Sequence, residues 1–185
     1  MKKNRKIPYY GLIAVMCYFI STLGLVLVGN STFIILMELS TVLSTPLLLL
    51  IFIAIPSPQE HDKEIAKMLS IIFMSCCMIL TSIAHFTNIA FIMPLQDSGV
   101  EIPIYFQIGQ WPSALMVIDY LGWGFFMGLA FIASSLATRK EYRLLKNTLL
   151  VSGILCLLGL IGTVMISANC WYIASCGYGI GTAVI

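Results

Sequence analysis

Long apolar runs separated by short polar or proline-bearing breaks dominate the chain. A bilayer core about 30 Å thick needs about 20 predominantly apolar residues per helix. Five stretches meet that requirement, at 9–29, 32–55, 65–93, 113–138 and 149–167. The third is longer than one span needs, and is read as beginning in an amphipathic turn around Lys67 or as running tilted. The last segment, 168–185, is uncharged and carries three closely spaced glycines in GYGIG. An exported tail, a re-entrant piece and the start of a sixth helix all fit it. The pattern predicts an all-α fold: one polytopic transmembrane domain over 1–185, built as a five-helix bundle with an outer loop at 94–112.

Composition agrees with the pattern. Of 185 residues, 59% are hydrophobic and 10% charged, with a mean hydropathy of +0.98. An ordinary soluble domain carries roughly 25% charged and 45–50% apolar residues, so this chain lacks the polar surface that a fold in water needs. The formal charge is only +2 and no basic stripe is interleaved with aromatics, which sets nucleic acid aside. The basic residues are informative in another way. Lys2, Lys3, Arg5 and Lys6 precede the first stretch, Lys63 and Lys67 lie at the break after the second, and Arg139, Lys140, Arg143 and Lys146 lie after the fourth. All ten therefore fall on the side of the N-terminus. Because Lys and Arg in short loops resist translocation, the N-terminus is expected in the cytoplasm and, with five spans, the C-terminus outside. The expected location is a cell membrane of the plasma or bacterial inner type. The basic start resembles a secretory signal, but its apolar run of about 21 residues exceeds the 7–15 of a signal core, so it is read as an uncleaved helix.

Charge inside a membrane helix costs roughly 2.5–3.5 kcal/mol at the centre, so such residues usually face a bundle interior or a cavity. Glu38 and Asp119 each lie about six residues from the outer end of their stretch, about 9 Å deep at 1.5 Å per residue. His85 and Asn88 fall at a similar depth in the third stretch. Glu38 has Thr41 and Thr45 at helical spacing, His85 has Ser82 and Asn88, and Asp119 has Tyr120 beside it and Trp123 four residues on. Glu38, His85, Asn88, Asp119, Tyr120 and Trp123 are accordingly the candidate ligand- or ion-binding residues. The plainer alternative is that they satisfy one another as packing contacts between helices. One His and two carboxylates can hold zinc, but the spacing matches no ligand motif, so neither a metal nor a cofactor is expected, and no catalytic residue is assigned.

Several other chemistries are excluded. His61 lies in a charged break, leaving His85 without the second intramembrane histidine of a bis-His haem. Every lysine lies in or at the edge of a basic segment, which removes a retinal Schiff base. Phosphate-loop, zincin and nucleophile-elbow strings do not occur. Cys17, Cys76, Cys77 and Cys156 read as apolar packing groups, whereas Cys170 and Cys176, both on the outer side, are candidates for a disulfide. Gly124 and Gly128 have the spacing of a close helix contact. Pro46 is expected to kink the second stretch and free a carbonyl. In the outer loop, Asp97, Glu101, Tyr105, Phe106 and Trp111 suit interfacial anchoring, with 100–106 as a lid in the alternative.

These features point to a membrane protein that binds or transports a small cationic or amphiphilic solute through an outward-facing acidic pocket. Two alternatives stand beside it: a membrane-embedded enzyme acting on a lipophilic substrate with a His/carboxylate acid-base pair, and a non-catalytic accessory or lipid-binding protein. The expected partners are the lipid bilayer, a small cationic or lipophilic ligand, and a second copy of the chain or a membrane-complex partner.

Overall fold

The computed structural model describes residues 31–55, 60–161 and 171–185, with Tyr9, Ile13, Met16 and Met165 in addition. The rest of the first stretch, its four preceding basic residues and Cys170 lie outside the described residues. Among those described, the chain forms helices and no strand. They are α1 Ser31–Ala54, α2 His61–Asp97, α3 Ala114–Ala137, α4 Arg143–Gly159 and α5 Trp171–Val184. Three of them are long and apolar enough to cross a membrane, over Phe33–Ala54, His61–Asp97 and Ala114–Ala137. That fits a helical membrane protein. Among the described residues, α4 and α5 are shorter, with 17 and 14 residues, and the first of the five expected spans lies outside the described residues.

Local chemistry explains how polar groups survive in these helices. Pro46 has no N–H to give to the carbonyl four residues back, that of Val42. The hydroxyl of Thr45 donates to that same Val42 carbonyl at 3.1 Å, so α1 continues through the proline to Ala54. At the end of α1 the Phe52 carbonyl accepts the Ile55 N–H at 3.4 Å, and the carbonyls of Phe52 and Ile55 both accept hydrogen bonds from Lys67 Nζ, at 2.6 and 2.7 Å. Lys67 thus ties α2 to α1 as well as marking a basic end. Asp62 and Glu64 occupy the first turn of α2, where the helix dipole favours negative charge. Two helices depart from regular geometry: α2 passes through a π-turn at Asn88–Ile92 and α3 through another at Leu121–Phe126.

Successive helices run antiparallel and each packs on the next. Ser70 bonds Ser134 across α2 and α3 at 2.5 Å, and the hydroxyl of Ser135 donates to the Lys146 carbonyl at the turn into α4. Gly128 and Gly153 let α3 and α4 approach closely, since a Cβ on Gly153 would lie 2.6 Å from the Gly128 carbonyl oxygen. The close contact expected of Gly124 and Gly128 is therefore present, with Gly124 against Leu160 and Trp171. Phe52, Phe131, Met74, Met127 and Leu149 form a fully buried block towards the end bearing Lys63, Lys67, Arg139 and Lys140. The outer flanks are apolar, with Leu43, Ile79, Phe86, Phe91 and Leu136 exposed, as lipid contact requires.

Helix limits bear on the expected spans in three places. The third stretch, expected at 65–93, is one helix from His61 to Asp97. The fifth, expected from Leu149, begins six residues earlier at Arg143. The segment 168–185, left open above, is helical from Trp171 and turns back along α4, placing Gly177 against Ser152 and Cys156 and Gly181 against Phe131. Cys176 stands exposed on α5 with a free thiol. The loop 98–113 is pinned at the far end by Ile102, buried with Ile92 and Leu115, while Tyr105 and Phe106 are exposed.

Candidate functional site

Antiparallel pairing brings the intramembrane ionisable groups to one level. His85, near the end of the α-helical part of α2, is the shared partner: its Nδ1 lies 2.6 Å from Glu38 Oε2 on α1, and its Nε2 lies 3.2 Å from Asp119 Oδ1 on α3. The first contact is a hydrogen bond. The second has ion-pair distance, but the ring N–H is not aligned on the oxygen, and Asp119 Oδ1 is buried without a hydrogen-bond partner. Glu38 is fully buried and its Oε1 is likewise unpartnered. Both π-turns start beside this cluster, three residues after His85 and two after Asp119. π-Turns inside α-helices frequently mark functional sites.

The two carboxylates differ in access. His85 and Asp119 line a cavity of about 270 Å³, whereas Glu38 sits behind His85 and outside that lining. The cavity lies between α1 and α5, with Thr41, Ser44 and Leu48 on one side and Trp171, Tyr178, Gly179, Thr182 and Ala183 on the other; α3 supplies Met116, Tyr120 and Trp123. Tyr120, Trp123, Trp171 and Tyr178 contribute aromatic rings to its wall. Tyr120 stacks on Trp171 at 3.7 Å and 15°, Trp111 stacks on Tyr120 at 5.5 Å and 19°, and Trp123 leans on Tyr178 at 5.3 Å. The cavity thus has one acidic end and an aromatic body. Its carboxylates stand on opposite nitrogens of one imidazole, and among the described residues no group of three His, Cys, Asp or Glu is placed to hold a metal ion.

Of the six sequence candidates, His85, Asp119, Tyr120 and Trp123 line the cavity and Glu38 backs it. Asn88 is buried at the start of the π-turn and takes no part in the lining. Missing from the sequence reading are Trp171, Tyr178 and Thr182, because the segment that carries them was open between tail, re-entrant piece and sixth helix. A signal was present. Ala174, Gly177 and Gly181 recur at three and four residues, a small-residue stripe of the kind that packs helices closely, and Trp171, Tyr178 and Thr182 lie seven and four residues apart on another face.

Comparison of the chain with protein-family models, curated proteins and solved structures finds no match.

Proposed function

We propose that this protein binds a small organic cation or cationic amphiphile in the cavity between α1 and α5, and presents that cavity to the outer side of a cell membrane. The observation that carries the reading is Asp119: a carboxylate at the end of a cavity with aromatic residues in its lining, whose buried Oδ1 accepts no hydrogen bond and lies 3.2 Å from His85 Nε2. A carboxylate at the cavity's end offers acceptor oxygens, and its charge when ionised favours a cation beside it. An anion there would meet that charge in a low-dielectric site. Hydrated metal ions suit it poorly, since calcium takes six to eight oxygen ligands and the lining carries one carboxylate, that of Asp119. Sidedness follows from charge: all ten basic residues are expected at the cytoplasmic end, and the buried Phe52–Phe131 block separates the cavity from it. That block favours binding from one face over a continuous aqueous path. Movement of the solute across the membrane then requires a rearrangement or a partner chain.

A second reading has one specific support. The Glu38–His85 bond of 2.6 Å is the geometry in which a carboxylate orients an imidazole as general base, as a membrane-embedded enzyme needs. The contact of Nε2 with Asp119 argues against it, because it engages the nitrogen that substrate would meet.

The test is thermal unfolding of the purified protein in lipid nanodiscs against a panel of amines, quaternary ammonium ions and neutral molecules of equal size. The reading predicts that cations raise the melting temperature of wild type, that neutral molecules do not, and that Asp119→Asn removes the response. Equal stabilisation of wild type and Asp119→Asn contradicts it, and chemical conversion of a lipophilic panel member establishes the enzyme.

A further inference from the structure

Resting on the cation-cavity reading above, we infer that the ligand's charged group is a protonated primary or secondary amine, held through its N–H bonds, rather than a quaternary ammonium. The two classes place opposite demands on a cavity. A quaternary ammonium has no hydrogen to donate and is held by open aromatic faces within about 6 Å. A protonated amine needs acceptors arranged around its nitrogen.

The rings here are largely committed to each other. Tyr120 lies between Trp111 and Trp171, at 5.5 and 3.7 Å with near-parallel planes. Trp171 spends a face on Tyr120, and Tyr178 has ring contacts with both Trp171 and Trp123. With its neighbours stacked on it Tyr120 has little open face, and Trp171 has one face covered, which leaves these two rings poorly suited to cage a bare cation.

The hydroxyls are committed in the complementary sense. Thr41 donates to the Met37 carbonyl at 2.9 Å, Ser44 to the Thr41 carbonyl at 2.9 Å, and Thr182 to the Tyr178 carbonyl at 2.8 Å. A hydroxyl has one proton and two lone pairs. With the proton given to its own helix, each keeps acceptor capacity, and all three residues line the cavity. His85 is engaged in the same way, both ring nitrogens facing carboxylates. Three hydroxyl oxygens and the Asp119 carboxylate therefore form an acceptor set on α1, α3 and α5, matched to a group that is both charged and rich in N–H. At about 270 Å³ the cavity is slightly smaller than the 300–1,000 Å³ usual for drug-sized ligands, so an amine carrying one ring or a short apolar chain fits it.

Titration calorimetry on the full chain in nanodiscs tests this with three molecules of one shape: phenethylamine, trimethylphenethylammonium and phenethyl alcohol. The amine is expected to bind about tenfold or more tightly than the quaternary ion, because a site built to hydrogen-bond N–H discriminates strongly against an analogue lacking it. The alcohol should bind more weakly still. Thr41→Val with Ser44→Ala should shrink the amine's advantage to within about threefold, with affinity for the quaternary ion little changed. Thr182→Val, three residues from the end of the chain, should shrink it in part and provides a variant that leaves α1 untouched. Quaternary binding equal to or tighter than amine binding overturns this inference and leaves the cation cavity standing. An amine advantage that survives both sets of substitutions also overturns it. Absence of binding by either cation overturns the cavity reading itself.

Discussion

At the scale of single residues, the apolar interior is held together by hydroxyls that replace backbone donors and by one histidine that two carboxylates share. Thr45 shows the first device. It is fully buried and bonds the one carbonyl that Pro46 cannot serve, so Thr45→Val leaves the Val42 oxygen unsatisfied in a region where no water replaces the bond. A loss of about 1–3 kcal/mol is expected, read by reversible denaturation in mixed detergent. Pro46→Ala restores the missing N–H, so the double variant Thr45→Val/Pro46→Ala should recover most of that loss. A double variant no more stable than Thr45→Val would show that the hydroxyl does not serve this carbonyl. The polar cluster was largely legible from the sequence, because a fixed rise per residue turns counting into depth and depth brought Glu38, His85 and Asp119 together. Asn88 shares that depth and stands three residues from His85. Three residues rotate a position by about 60° away from full alignment, and the π-turn that starts at Asn88 alters the phase beyond it. No local feature of the α2 sequence announces that turn.

Among the elements, α5 decides whether there is a cavity at all, and α5 is held by contact between backbones. A Cβ on Gly177 would lie 2.7 Å from the Ser152 carbonyl oxygen and 2.8 Å from the Cys156 nitrogen, so any side chain there must push α5 off α4. Gly177→Val should therefore destabilise the protein by about 1–3 kcal/mol through overpacking, and should also abolish cation-dependent stabilisation by moving Trp171, Tyr178 and Thr182. Gly179 serves as the control. It has no neighbour within 4 Å of its would-be Cβ, and Ala is favoured over Gly inside a helix by about 0.5–1 kcal/mol, so Gly179→Ala should leave the melting temperature level or raise it. Equal loss in both variants would remove the close-packing account of α5. This helix was the least legible part of the chain. Gly in a short uncharged segment reads as punctuation when the partner surface is unknown, and only the three-dimensional fit to Gly159, Cys156 and Phe131 turns those glycines into a packing face.

Across the whole molecule, charge and hydrophobicity sort along one axis. Lys63, Arg139 and Lys140 meet Glu60 and Glu141 at one end, the block around Phe52 and Phe131 fills the adjoining layer, and the acidic, aromatic cavity lies beyond it. The sequence conveyed this sorting well, since loop charge and apolar length are additive properties of segments. Length alone speaks less plainly for α4 and α5, whose 17 and 14 residues pack through small residues against α3 and against each other. The central claim is that the cavity between α1 and α5 holds a cation on Asp119. The most direct measurement is a crystal structure of the protein with a bromine-substituted phenethylamine, read from the anomalous signal of bromine. The account predicts a bromine peak between Trp123 and Tyr178 on one side and Leu48 on the other, with the amine nitrogen about 3 Å from an Asp119 oxygen. An empty cavity under conditions where the amine binds in solution, or a bromine peak outside it, would contradict the account.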